Sequence, residues 1–272
     1  MKNILKSNVV LIIFYLLYLI ILYGIFKDSF IGILIIHLIF IFIALTPIGE
    51  SIMRLLNHTK KIVLKEDREY LYSLFDEVYE QAKKKNPKLS SNIKLFMNEE
   101  QMPNAFACAS NTVCITKGAI QTFSREELQG IIAHELGHIS NGDTKISMIF
   151  CIGNVLFMAF ALIVKLFYIT IFNVLKNRLG NSIILTIING IKNLIIRFLG
   201  FIVNTIFSLN SRNCERGADE FAYKIGFGEE LTQALYLLKQ IDTSGNLSIM
   251  ERIYATHPDL DNRIARLEEL RS

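Results

Sequence analysis

Two long uncharged apolar runs at the start of the chain constrain its fold more than any other feature. From Ser7 to Phe26 no side chain carries a charge, and from Ser29 to Gly49 the only titratable group is His37. Each run has about 20 residues, enough at 1.5 Å per residue to cross a hydrocarbon core of about 30 Å. A cleaved signal peptide would have a shorter apolar region and an A-x-A-like site, and neither precedes the second run. The expected unit over residues 1–50 is therefore a transmembrane hairpin turning at Lys27-Asp28. Lys2 and Lys6 precede it, and Arg54, Lys60, Lys61 and Lys65 follow it. Cytoplasmic loops carry the excess of Lys and Arg, so both ends of the hairpin are expected on the cytoplasmic side of the cell membrane.

Composition agrees with a lipid bilayer as one partner. Hydrophobic residues make up 51 % and charged residues 20 % of 272, and the mean hydropathy is +0.37. A net charge of +4 is too small to point to nucleic acid. Cys108, Cys114, Cys151 and Cys214 form no C-x-x-C pair and no disulfide-like framework, which fits a reducing compartment.

The chain turns polar after the hairpin. Leu71, Leu74, Phe75, Val78 and Ala82 have helical spacing within residues 67–85. Residues 93–97 read as a strand, and 105–109 and 112–116 read as two more around Ser110-Asn111, a plausible hairpin. Ser124-Arg125-Glu126-Glu127 matches a capping box that opens a helix ending near Gly142. A second apolar pair follows. Ile146 to Val164 is an uncharged stretch of 19 residues, and Leu179 to Leu209 is interrupted by Lys192 and Arg197, costly groups at a bilayer centre. The expected division is a membrane hairpin over 146–209 between two parts of one catalytic domain, 51–145 and 210–272.

The capped helix contains His134-Glu135-Leu136-Gly137-His138. Residues four apart share a helix face, so both imidazoles can reach one metal ion while Glu135 stays beside it. Zinc lowers the pKa of its water to about 7, and a neighbouring carboxylate can take the proton as that water attacks a carbonyl. The bland alternative is a helix that merely happens to hold two histidines and a glutamate. A third ligand is required. The extended H-E-x-x-H-x-x-G-x-x-H pattern is excluded, because Asn141 and Thr144 stand at its last two positions. Glu215 and Asp219, four apart in Ser211 to Asp219, offer a glutamate ligand and a carboxylate that can accept from a ligating imidazole. Taken alone, that pair reads as a solvated helix face. Cys214 is a rival third ligand.

HELGH, followed after a long apolar insertion by S-R-x-x-E-x-x-A-D-x-x-A over Ser211 to Ala222, resembles the HtpX-type membrane metalloproteases. More distantly it resembles the CAAX prenyl endopeptidases. Pro103-Asn104-Ala105-Phe106-Ala107 and His257-Pro258 match further elements of the HtpX pattern, whereas Cys108-Ala109-Ser110 departs from it where relatives often carry a glycine. The resemblance implies an α-helical membrane protein with a cytosolic α+β zincin-like (gluzincin) catalytic domain. It implies one zinc ion per chain, held by His134, His138 and Glu215, with Glu135 as general base. It also implies that Asn104, Ala105, Phe106 and Ala107 form an edge strand that binds an extended substrate, and that His257 stabilises the oxyanion.

Only eight residues separate His138 from Ile146, about 12 Å if helical, so the zinc must sit near the membrane. Expected substrates are therefore membrane proteins or the cytosolic loops of damaged ones, a quality-control role. The competing class is a membrane scaffold or holdase with a structural metal. A structural site normally uses four protein ligands, and this pattern offers three.

Overall fold

The computed structural model describes residues 30–153, 211–243 and 259–271, with isolated positions within 13–28 and 167–190. His257 and most of residues 146–209, including Lys192 and Arg197, lie outside the described residues, as does most of the first apolar run.

Helix α1 (Phe30–Ala44) is apolar on nearly every side, but it buries His37 and Ala44. Thr46-Pro47 then breaks the chain. Proline suits the first turn of a new helix, where its missing N–H costs nothing, and α2 (Pro47–Leu56) leaves α1 at a bend of 73°. No single helix among the described residues is long and apolar enough to cross a membrane; only α1 and α2 together have the length and composition.

Helix α3 (Lys65–Lys85) begins two residues before the expected start. It buries Leu71, Leu74, Phe75, Val78 and Ala82, the stripe read from the sequence. Glu66 and Asp67 lie in its first turn and three lysines in its last, the order the helix dipole favours. A three-stranded sheet follows, made of β1 (Lys94–Asn98), β2 (Ala105–Cys108) and β3 (Thr112–Thr116). Its order is β1-β3-β2, with β1 parallel and β2 antiparallel to β3. The β2–β3 hairpin is as expected. β3 is buried throughout, and β2 lies at an edge of the sheet.

Short helix α4 (Lys117–Thr122) leads to the central helix α5 (Arg125–Asn141). The capping box is complete: Glu127 N–H donates to Ser124 Oγ at 3.2 Å, and Ser124 N–H donates to Glu127 Oε2 at 2.7 Å. Such a cap contributes about 1 kcal/mol. α5 ends at Gly142, whose φ of +82° suits a residue without Cβ. The chain restarts at once as α6 (Asp143–Gly153). Helix α7 covers residues 211–224, α8 is Gly228–Thr243 and α9 is Leu260–Arg271.

The main core surrounds α5. Leu128, Ile132, Ala133, Leu136 and Ile139 of α5 join the α3 stripe, Leu95, Val113 and Ile115 of the sheet, and Phe221, Leu231, Leu235, Ile264 and Leu267 of the later helices. Burial on this scale stabilises by roughly 1.5–3 kcal/mol per large side chain. α5 is thus held from several directions, which gives its polar residues fixed positions.

Candidate metal centre

Glycine sets the approach of the two ligand helices. A Cβ at Gly137 would lie 2.9 Å from Ala218 Cα, so the gap in HELGH lets α5 and α7 touch backbone to backbone. That contact brings Glu215 under the two histidines. His134 Nε2 lies 3.4 Å from Glu215 Oε2, and His138 Nε2 lies 3.3 Å from Glu215 Oε1. The two Nε2 atoms are 3.1 Å apart, and the rings meet edge to face. One donor atom from each of the three residues falls within 4.8 Å of the others. Cys214 is buried but is not one of this trio.

Each imidazole is held from behind by a carboxylate. His134 Nδ1 lies 2.8 Å from Asp219 Oδ1, and His138 Nδ1 lies 3.1 Å from Asp143 Oδ2. A carboxylate only accepts, so each Nδ1–H donates to its carboxylate, and Nε2 is the ring nitrogen left on the Glu215 side to bind an ion. Asp219 is where the sequence pattern places it. Asp143 escaped notice because it stands one residue beyond a helix end; the left-handed turn at Gly142 carries it back to His138.

Arg263 was also missed. Its Nε donates to Asp219 Oδ2 at 2.9 Å and its Nη2 to Asp219 Oδ1 at 2.7 Å, a two-pronged pair, while Nη1 lies 2.7 Å from Glu215 Oε2. A signal was available. Leu260, Ile264 and Leu267 form the buried stripe of α9, and Arg263 occupies a position on that same stripe.

Charge decides what the site needs. Glu135, Asp143, Glu215 and Asp219 are all buried, and Arg263 is the buried cation among them. Four buried carboxylic side chains face one guanidinium, an imbalance that favours a further cation in this low-dielectric place. Protons show the same demand. Burial opposes charge on His138, but Asp143 and Glu215 outweigh it and hold its pKa well above 6.5. At His134, burial and the Arg263 charge lower the pKa, and Asp219 and Glu215 outweigh both to raise it. Burial would raise Asp219, yet the Arg263 guanidinium and His134 pull it below 3.8. Two imidazole nitrogens and a carboxylate, all facing one point with an excess of carboxylic side chains around them, fit a divalent ion such as zinc.

Glu135 stands beside the trio and faces a pocket with an open volume of about 430 Å³. Asn104 and Ala105 line that pocket with Phe123, Ile131, Leu235 and Arg263. Two of the four expected substrate-strand residues therefore border the site. Phe106 and Ala107 continue the strand away from it, Ala107 packing on the core. His58 is exposed and takes no part in the site. The described cysteines Cys108, Cys114 and Cys214 are buried and unbridged. Burial, then Cys108 and Glu135, push the Cys114 thiol up to about 12, so it is not a nucleophile.

Comparison with known proteins agrees with the geometry. Residues 65–271 match the model of peptidase family M48. A Protease HtpX homolog of Sulfurihydrogenibium sp. is 29 % identical over 240 residues, covering 76 % of each chain. One from Thermoanaerobacter pseudethanolicus is 28 % identical over 197 residues, covering 65 % of each. The crystal structure of S. mikatae Ste24p superposes with a TM-score of 0.47 at 17 % identity, covering 98 % of this chain and 64 % of that one. The family match takes in His134, His138 and Glu215, and the resemblance to HtpX-type proteases holds. This chain belongs to peptidase family M48 and is a metalloendopeptidase.

Proposed function

We propose that the chain is a membrane-anchored zinc endopeptidase that cuts membrane proteins, or their cytosolic loops, at a site on the cytoplasmic face of the cell membrane. The observation that carries the reading is the convergence of His134, His138 and Glu215 beside Glu135, at the head of a pocket bordered by an edge strand. In this reading residues 1–50 and 146–209 are membrane hairpins, and 51–145 and 210–272 together form a gluzincin catalytic domain.

His134, His138 and Glu215 would hold the zinc, which when bound supplies Lewis acidity and acidifies a water. Glu135 would take a proton from the attacking water and return it to the leaving nitrogen. Asp219 and Asp143 keep the two imidazoles in the tautomer that presents Nε2. Arg263 holds Asp219 ionised and, through its Nη1, keeps Glu215 in place. The edge of β2 pairs with an extended peptide, whose main-chain hydrogen bonds set its register. Phe123, Ile131, Leu231, Leu235 and Leu238 give the pocket an apolar wall, so the side chain next to the scissile bond is expected to be apolar. His257 is assigned to the oxyanion.

The test uses purified full-length protein in lipid vesicles with a co-reconstituted membrane protein bearing an unstructured loop. Wild type is expected to cut the loop, and Glu135→Gln to leave it whole. Equal cutting of a soluble unfolded chain without any lipid would remove the membrane restriction; cutting by Glu135→Gln would remove the mechanism.

A further inference from the structure

Helix α2 has two faces of opposite character. Ile48, Ile52, Leu55 and Leu56 lie on one, at 63 %, 39 %, 76 % and 65 % exposure, with Leu45, Val63 and Leu64 also exposed nearby. Residues spaced by three and four share a helix side, so this is one apolar surface, of a kind that marks an interaction site. The opposite face is polar and engaged. Glu50 is buried; it accepts from Thr112 Oγ1 at 2.5 Å and from Asn111 Nδ2 at 3.2 Å, and pairs with Arg54 at 3.2 Å. The Arg54 guanidinium also lies 5.1 Å above the Phe96 ring. α2 therefore grips the sheet, by the β2–β3 turn, with one side and leaves the other bare.

We infer that α2 is an interfacial helix, its apolar face seated at the headgroup–acyl boundary of the bilayer that α1 enters. This rests on the membrane anchoring proposed above. Three observations choose lipid over a protein partner. α2 continues directly from α1, on which Ile31, Ile35, Leu38, Ile39 and Phe42 form a further broad exposed apolar face, so the bare surface extends along the segment expected in the bilayer. The 73° bend turns α2 out of the line of α1, the course of a helix that leaves an apolar segment to lie in the interface. Lys60, Lys61 and Lys65 are exposed beside Val63 and Leu64, where they complement an anionic headgroup layer. Since Glu50 and Arg54 tie α2 to the hairpin that carries the edge strand, the bilayer surface sets the height at which a substrate is held.

The chain has no tryptophan, so Leu55→Trp supplies a single indole at an exposed position with no packing to lose. The full chain is reconstituted in phosphatidylcholine/phosphatidylglycerol vesicles, with and without lipids brominated near the headgroup end of the acyl chain. Lys84→Trp, at an exposed position nineteen residues along α3, is the reference. The expected result is blue-shifted Leu55→Trp emission that is quenched by brominated lipid, while Lys84→Trp stays red and unquenched. In protein that floats with the vesicles, unquenched Leu55→Trp emission overturns the inference alone, whether the indole is wet or shielded by a second copy. Equal quenching at both positions also overturns it. Protein that fails to float overturns the inference and the membrane anchoring together.

Discussion

At the scale of single residues, the site is organised by groups behind the three metal donors. Arg263 pairs with both Asp219 and Glu215 while nearly excluded from water. Arg263→Met leaves two buried carboxylates without their partner, and is expected to cost about 3–5 kcal/mol. Thermal unfolding in detergent checks this; an unchanged midpoint would contradict it. Asp143→Asn replaces the charged acceptor behind His138 by a neutral amide with little change in volume. A weakening of metal affinity by about 10–100-fold is expected, read by chelator competition, with the fold intact. The raised histidines give a pH prediction for chelated protein. Their folded pKa values lie above 6.5, so their protons stabilise fully below 6.5, and that contribution fades as pH rises through the raised values. Chelated protein should lose stability as pH climbs from 6.5, while metal affinity rises and binding releases protons. Stability that grows over that window would contradict the arrangement. HELGH was legible because i, i+4 spacing is a property of any helix. For Arg263 only its place on an apolar stripe was legible and not its partners, since it lies 129 residues from His134 and only the fold brings them together.

At the scale of elements, local rules carried far. The α3 stripe, the capping box and the β2–β3 hairpin were all readable, because each depends on neighbours a few residues apart. What escaped was the packing around the hairpin turn. Ala109 stands at φ +54°, in the left-handed region that favours glycine. Its carbonyl accepts from Thr144 of α6, and Cys108 and Ala109 pack with Ala44 and Met148. Glu50 holds the other side of the turn through Thr112 and Asn111. The edge strand is thus clamped between the helix leaving α1 and the helix leaving the active site. Glu50→Gln weakens hydrogen bonds that a charged acceptor strengthens, by about 1.5–3 kcal/mol in all. The expected outcome is a higher KM for an extended peptide with metal content unchanged. Loss of metal with KM unaltered would refute the clamp.

At the scale of the whole molecule, hydropathy points to a bilayer, and the described helices join the candidate site to an apolar segment. α6 begins one residue after α5 ends, so no linker separates the metal-binding helix from the apolar segment that follows. The bend between α1 and α2 was invisible in a hydropathy count, which registers apolar length but not direction. The central claim remains the three-donor site with Glu135 beside it. It is tested most directly by measuring zinc content and peptide hydrolysis together in wild type, Glu135→Gln and Glu215→Ala. Glu135→Gln should keep the zinc and lose turnover, and Glu215→Ala should lose both. Full activity in either variant, or zinc retained in full by Glu215→Ala, would contradict the account.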